Sequence, residues 1–309
     1  MDATLLPSST VARLKLCLTN QARRNIQCPH DNQIGAKLAL VTGATSGIGR
    51  EIASGLLERG IGTILAGRSP EKLEAVRQEF CERGIEKSLI RTVAFDLSDL
   101  ESVAAGVTAI EQMIGSQNIE VLLENAGVWP RRYSETQQGF EIAVGTNVLG
   151  HFALRSGLER AGLLATAARI VILTGDIYAS ARECTLHYRY RGPLGGMRAY
   201  SRSKLGNIWI ARELQRHRPE YTVVAVHPGV VATNLGGSGR VGRKLKSLLM
   251  IPPVAGSQMP LYCATRTDIV KGGYYLNTRG LCRFPPDDPA IDEWQSLRFW
   301  HEVESIAGV

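Results

Sequence analysis

Residues 37–49 read Lys-Leu-Ala-Leu-Val-Thr-Gly-Ala-Thr-Ser-Gly-Ile-Gly. The first half, 37–42, is a short apolar run of the kind a buried strand makes. The second half is a glycine turn that passes straight into residues 47–59, where Ile48, Ile52 and Leu56 recur at helix spacing until Gly60. Between a strand and a helix, glycines permit a tight bend and let backbone approach a pyrophosphate. The helix N-terminus there offers free N–H groups and a partial positive charge. Many loops are rich in glycine, so the turn gains its meaning from this placement.

Outward from this unit the pattern repeats. Short apolar runs at 63–66, 92–95, 121–123, 170–173 and 223–226 predict five further strands. Ser69 caps a helix that has Pro70 at its first position and ends at Gly84. Ser98 and Glu101 form a capping box for the next helix. Long helical stretches follow at 138–158 and 199–216. Such alternation predicts an α/β fold: a Rossmann-like, doubly wound parallel sheet in three α/β/α layers, as a single domain over 37–309. Residues 1–36 read as an appended, poorly ordered extension, and residues 234–255 as an irregular excursion.

The chain has 309 residues, 44% hydrophobic and 21% charged, with 36 basic and 29 acidic side chains and a net charge of +7. This is globular composition, and it excludes a disordered chain. The densest basic cluster is Arg240, Arg243, Lys244 and Lys246, but aromatics are only 6%, which argues against nucleic acid as a partner. A modest positive excess suits an enzyme that holds a polyanionic cofactor. Cys17, Cys28, Cys81, Cys184, Cys263 and Cys282 include no Cys-x-x-Cys pair, and His-Glu-x-x-His is absent, so no metal site is expected. Free thiols, with no signal-like or membrane-length apolar run, point to the cytoplasm. The basic N-terminal stretch leaves organelle targeting as the alternative.

Cofactor choice is legible at the second strand. Dinucleotide sites place an acid there for the ribose hydroxyls. Here the strand ends Leu65-Ala66-Gly67-Arg68, with no carboxylate. The Arg68 guanidinium suits a 2′-phosphate and an adenine face, which favours NADP(H) over NAD(H). A solvated surface arginine is the competing reading.

With these residues in place, the chain resembles the short-chain dehydrogenase/reductase family from about residue 37 to near the C-terminus. Residues 42–49 match its TGxxxGxG turn, in which Gly43, Ser46, Gly47, Ile48 and Gly49 would line the pyrophosphate. Asp96 and Leu97 stand where the family contacts adenine. Asn125, Ala126 and Gly127 follow the fourth strand, with Glu124 where the family usually has an asparagine. Asn147 matches the helical asparagine of the catalytic set, and Tyr200 to Lys204 match YxxxK. Pro228, Gly229, Val231 and Thr233 match the turn that holds the nicotinamide carboxamide. Residues 200–214 and 227–231 look most like the retinol-dehydrogenase-like branch, which acts on lipophilic carbonyls and alcohols. The family also implies a homodimer or homotetramer, and a variable substrate loop that would fall here at 234–255.

Tyr200 and Lys204 are one helical turn apart and share a face. An ammonium beside a phenol favours the phenolate, so the tyrosine is expected below its ordinary pKa of ~10. Such a tyrosine donates a proton to a carbonyl as hydride arrives, or accepts one in oxidation. The resemblance implies that Lys204 also holds the nicotinamide ribose and that Asn147 holds the helix and a relay water. His151 and His227 read as packing or hydrogen-bonding residues. Trp129 and Pro130 read as pocket lining, and Trp294 and Trp300 as core or interface.

One family feature is missing. The catalytic serine after the fifth strand falls on Gly175, counted back from Tyr200. Thr174, Asp176, Tyr178 and Ser180 are the neighbouring polar groups, and Thr174 is expected to substitute in part. Two readings follow. The first is an NADP(H)-dependent oxidoreductase moving hydride between nicotinamide and a small, fairly apolar carbonyl or alcohol. The second is a cofactor-binding protein whose redox chemistry has lapsed or been redirected.

Overall fold

A computed structural model describes residues 3–18, 21–232 and 250–308. Among these, nine strands form one sheet: β1 (Thr4–Leu5), β2 (Leu38–Thr42), β3 (Gly62–Gly67), β4 (Ile90–Ala94), β5 (Ile119–Glu124), β6 (Leu164–Leu173), β7 (Thr222–His227), β8 (Tyr274–Leu276) and β9 (Gly280–Arg283). Their order is β1-β9-β8-β7-β6-β5-β2-β3-β4. Neighbours run parallel, save for the antiparallel pair β8 and β9. The doubly wound, three-layer α/β/α arrangement expected from the sequence is the one found.

Strand side chains explain the layers. Every residue of β2 is buried. Leu38 and Leu40 enter one hydrophobic core, while Ala39 and Val41 enter the other. The same alternation separates Ile170 and Ile172 from Val171 and Leu173 on β6. A strand buried on both faces has to be apolar throughout, which is why these runs look continuous in sequence. The chain winds outward from β2 through β3 to β4, then outward the other way from β5 through β6 to β7. A crevice opens where the order reverses, at the carboxyl ends of β2 and β5.

Several local expectations are corrected. Asp99, not Ser98, caps the Leu100–Ile114 helix, its carboxylate accepting from the Glu101 N–H at 3.1 Å. Ser98 instead donates both its N–H and its hydroxyl to Asp96, at 2.9 and 2.8 Å. The helix expected over 138–158 begins at Ile142, and Glu141 caps it by accepting from Ala143 and Val144. A π-helical stretch, Gly145–Gly150, joins it to the helix His151–Arg160. The YxxxK helix is longer than its apolar pattern suggested, Gly192–His217, because its first turns are glycine-rich and carry no periodic signal.

The described residues before β2, 3–18 and 21–36, are part of the body rather than an appendage. β1 extends the sheet beside β9, pairing Thr4 with Cys282. Arg13 is 2% exposed and donates to Pro7, Tyr178 and Asp288. A two-residue strand has no periodicity to read, and an arginine reads as surface unless its buried partners are known. The excursion 234–255 lies outside the described residues up to position 249, and so does Thr233.

Candidate active site

The crevice is a cleft of about 680 Å³. It is lined by Gly43, Ser46, Gly47, Ile48 and Gly49 from the glycine turn, Arg68, Asp96 and Leu97 from the next two strand ends, and Asn125, Ala126 and Gly127 after β5. Thr174, Tyr200, Lys204 and Pro228 close the far end. Pro253, within the expected substrate loop, also lines it, as do Thr146 and Ala232, which were not anticipated because a helix interior and a loop carry no motif to mark them.

The glycine turn is tight for a reason the structure makes explicit. A Cβ on Gly49 would stand 2.3 Å from the Asn125 amide nitrogen and 2.4 Å from the Gly43 carbonyl oxygen. Gly43 and Gly47 also have φ of +69° and +57°, where glycine is favoured. Asn125 fills the space, donating Nδ2 to the Thr42 carbonyl at 2.8 Å. Ser46 begins the Gly47–Leu57 helix without a side-chain cap bond, so its first N–H groups face the cleft unclaimed by a side chain. These features fit a dinucleotide pyrophosphate.

Arg68 is 70% exposed at the side chain and stands 3.7 Å from the Asp96 carboxylate. An exposed pair at that distance leaves the guanidinium available to a stronger anion.

Asn147 acts as a clamp. Its Oδ1 accepts from the Val128 N–H at 2.7 Å, and Nδ2 donates to the Val128 carbonyl at 3.0 Å and to Ser203 Oγ at 2.9 Å. It thereby ties the Asn125–Gly127 turn to the Tyr200 helix. Its carbonyl accepts from His151 Nδ1 at 3.0 Å, and His151 Nε2 meets Thr42 Oγ1 at 2.8 Å. Since a carbonyl only accepts, the proton is on Nδ1 and Nε2 accepts from the threonine. Burial pushes His151 down to about 3. An unfolded chain therefore takes up a proton between about 6.5 and 3 that the native state refuses, and stability falls as pH drops through that window. His151→Gln should flatten the acid limb of melting temperature against pH. An unchanged limb would show that other groups set it.

Tyr200 is half-buried, its ring stacked on Trp129 with centroids 4.7 Å apart and planes within 2°. Lys204 Nζ lies 5.4 Å from the Tyr200 ring centroid and donates to the Leu173 carbonyl at 3.0 Å. The expected lowering of the phenol pKa is not found. Burial dominates, pushing Tyr200 up to about 12 and Lys204 down to about 8. A phenol in this state keeps its proton at neutral pH and is set to donate it.

Thr174 does not occupy the serine's role. Its hydroxyl donates to the Lys204 carbonyl at 2.7 Å, so its proton is already placed and it anchors the helix instead. The other nearby groups are engaged elsewhere. Asp176 accepts from Tyr274, Tyr178 joins Arg13 and Asp288, and Ser180 donates to the Ile177 carbonyl. A Cβ on Gly175 would meet nothing closer than His227 Nδ1 at 3.8 Å. Glu124, in the family's asparagine position, is buried and paired with Arg155. Of the turn expected to hold the carboxamide, Pro228 lines the cleft and Gly229 and Val231 do not. Among the described residues, no helix is long and apolar enough to cross a membrane.

Comparison with known proteins agrees with this geometry. The family model described as short chain dehydrogenase matches residues 37–242. Mouse retinol dehydrogenase 14 is 33% identical over 88% of this chain and 86% of its own. Human retinol dehydrogenase 13 is 30% identical, covering 100% of this chain and 96% of its own. Human dehydrogenase/reductase SDR family member 13 is 31% identical over 100% and 83%. Among solved structures, an uncharacterised protein from Mycobacterium paratuberculosis is 27% identical with a TM-score of 0.70, covering 88% of this chain and 94% of its own. L-sorbose reductase from Gluconobacter frateurii, 19% identical with a TM-score of 0.62 over 80% and 97%, shares the fold.

Proposed function

The chain belongs to the short-chain dehydrogenase family, in its retinol-dehydrogenase-like branch, and on that premise we propose that it is an NADP(H)-dependent oxidoreductase acting on a small, fairly apolar carbonyl or alcohol. The observation that carries this reading is the convergence of Tyr200, Lys204 and the glycine turn on one cleft. When bound, the cofactor supplies or accepts hydride. Gly43, Ser46, Gly47, Ile48, Gly49, Asn125, Ala126 and Gly127 would hold its phosphates and ribose, and Asp96 and Leu97 its adenine. Tyr200 gives its proton to the substrate oxygen as hydride arrives at the carbon. Lys204 places a positive charge beside that phenol, held in line by the Leu173 carbonyl. Trp129 covers the Tyr200 ring and excludes water from one face. The apolar substrate is supported by this wall and by relatives named retinol dehydrogenases. Five free thiols among the described residues accord with a cytoplasmic location. A homo-oligomer accords with exposed Trp294 and Leu297 on the helix Glu293–Ile306.

NADP(H) preference rests on Arg68 and the missing acid. Arg68→Ala should weaken NADPH binding by about 1.5–3 kcal/mol and leave NADH binding nearly unchanged. Equal loss for both would refute the assignment. The activity itself is tested by NADPH consumption against ketones and aldehydes of graded size. The second reading, a cofactor-binding protein without turnover, is favoured by the missing hydroxyl at Gly175. It wins if no carbonyl is reduced while NADPH binds.

A further inference from the structure

Gln21 is polar yet 3% exposed. It uses its carboxamide twice on one residue: Nε2 donates to the Val230 carbonyl at 3.2 Å, and Oε1 accepts from the Val230 N–H at 3.0 Å. A side-chain amide in this pose does for Val230 what a neighbouring strand does in a sheet. Four residues on, Asn25 donates to the Ala255 carbonyl at 2.8 Å and accepts from Asn277 Nδ2 at 2.9 Å. The Asn277 amide in turn stands 2.7 Å from where a Cβ on Gly229 would be, and Gly229 has φ +96°. The arm before β2 therefore meets the turn after β7 from two directions. That turn begins with Pro228, which lines the cleft.

We infer that Gln21 is a positioning residue for the turn 228–230 and, through it, for the nicotinamide half of the cofactor; the second step rests on the function proposed above. The turn leaves the sheet just after β7, with one residue in left-handed backbone, and holding such a segment in one conformation costs entropy. The paired bonds restrain the N–H and the carbonyl of one residue, and so the two peptide planes on either side of Val230, the first of which follows Gly229. Simple anchoring of the arm would instead affect the whole site alike.

The test uses the full chain and two ligands. NADPH engages both halves of the cleft, whereas adenosine 2′,5′-bisphosphate engages only the adenosine half. Gln21→Met keeps the length of the side chain and removes both bonds. It should raise the NADPH dissociation constant about five- to tenfold, from the loss of two ordinary hydrogen bonds, and leave that of the bisphosphate within about twofold. Gln21→Glu keeps the acceptor for the Val230 N–H and should fall between wild type and Gln21→Met, and it carries the same comparison should Gln21→Met not fold. Weakening of both ligands in proportion, or of neither, overturns the inference while leaving the proposed function standing. If the wild type binds neither ligand, the function reading falls and this inference with it.

Discussion

Tyr200→Phe should cut carbonyl reduction by about 10²–10⁴, the range for loss of a general acid. The phenylalanine ring keeps the stack on Trp129 and the fit of the helix, so NADPH affinity should stay close to wild type. Steady-state turnover with the best carbonyl and a fluorescence titration of NADPH separate the two effects. Because burial holds Tyr200 at about 12, the wild-type phenol remains protonated across the working range. The reductive rate should then fall as pH rises through about 8, where Lys204 discharges. Retention of most of the turnover in Tyr200→Phe would place the proton source elsewhere in the cleft.

Gly175→Ser is the second large effect, and it runs the other way. Gly175 has φ −170° and ψ 142°, extended backbone that any residue adopts. The nearest atoms to its new Cβ would be His227 Nδ1 at 3.8 Å, Ile177 Cγ2 at 3.9 Å and Lys204 Cγ at 4.0 Å, all ordinary contact. A serine therefore fits without strain. One pre-organised donor to a developing oxyanion is worth about 10²–10³ in turnover. Reduction of small ketones should rise by at least tenfold, and bulky substrates that use the empty space should lose. A variant no faster on any small ketone would mean that the substrate oxygen does not approach position 175. Thr174 offers no alternative, since its hydroxyl is given to the Lys204 carbonyl.

What could be read along the chain was local. The central strands β2, β3, β5, β6 and β7 announce themselves because burial on both faces demands apolar runs, whereas the edge strand β4 is partly exposed and its start was read two residues late. Gly43, Gly47 and Gly49 were readable because a turn from strand to helix leaves few other choices. The cap at Ser69 was legible for the same reason, while the cap at Asp99 was missed by one residue because Ser98 and Asp99 are both good caps. The residues of the cleft followed from spacing and resemblance, and most of them do line it.

The sequence by itself determined the fold class, the glycine turn between β2 and the helix after it, and the placing of Tyr200 and Lys204 on one helix face. The tertiary structure alone decided that the described residues 3–18 belong to the body, because the partners of Arg13 lie 165 and 275 positions away at Tyr178 and Asp288. It alone decided that Thr174 spends its proton on the Lys204 carbonyl, 30 positions on, and that Gln21 holds Val230, 209 positions on. It also reversed the expected pKa of Tyr200, because a titratable group answers to everything packed around it and burial raises this phenol. Periodicity and turn chemistry act over a few residues and leave a mark in the chain. Burial and long-range hydrogen bonds depend on what the fold brings alongside, and no stretch of sequence carries that on its own.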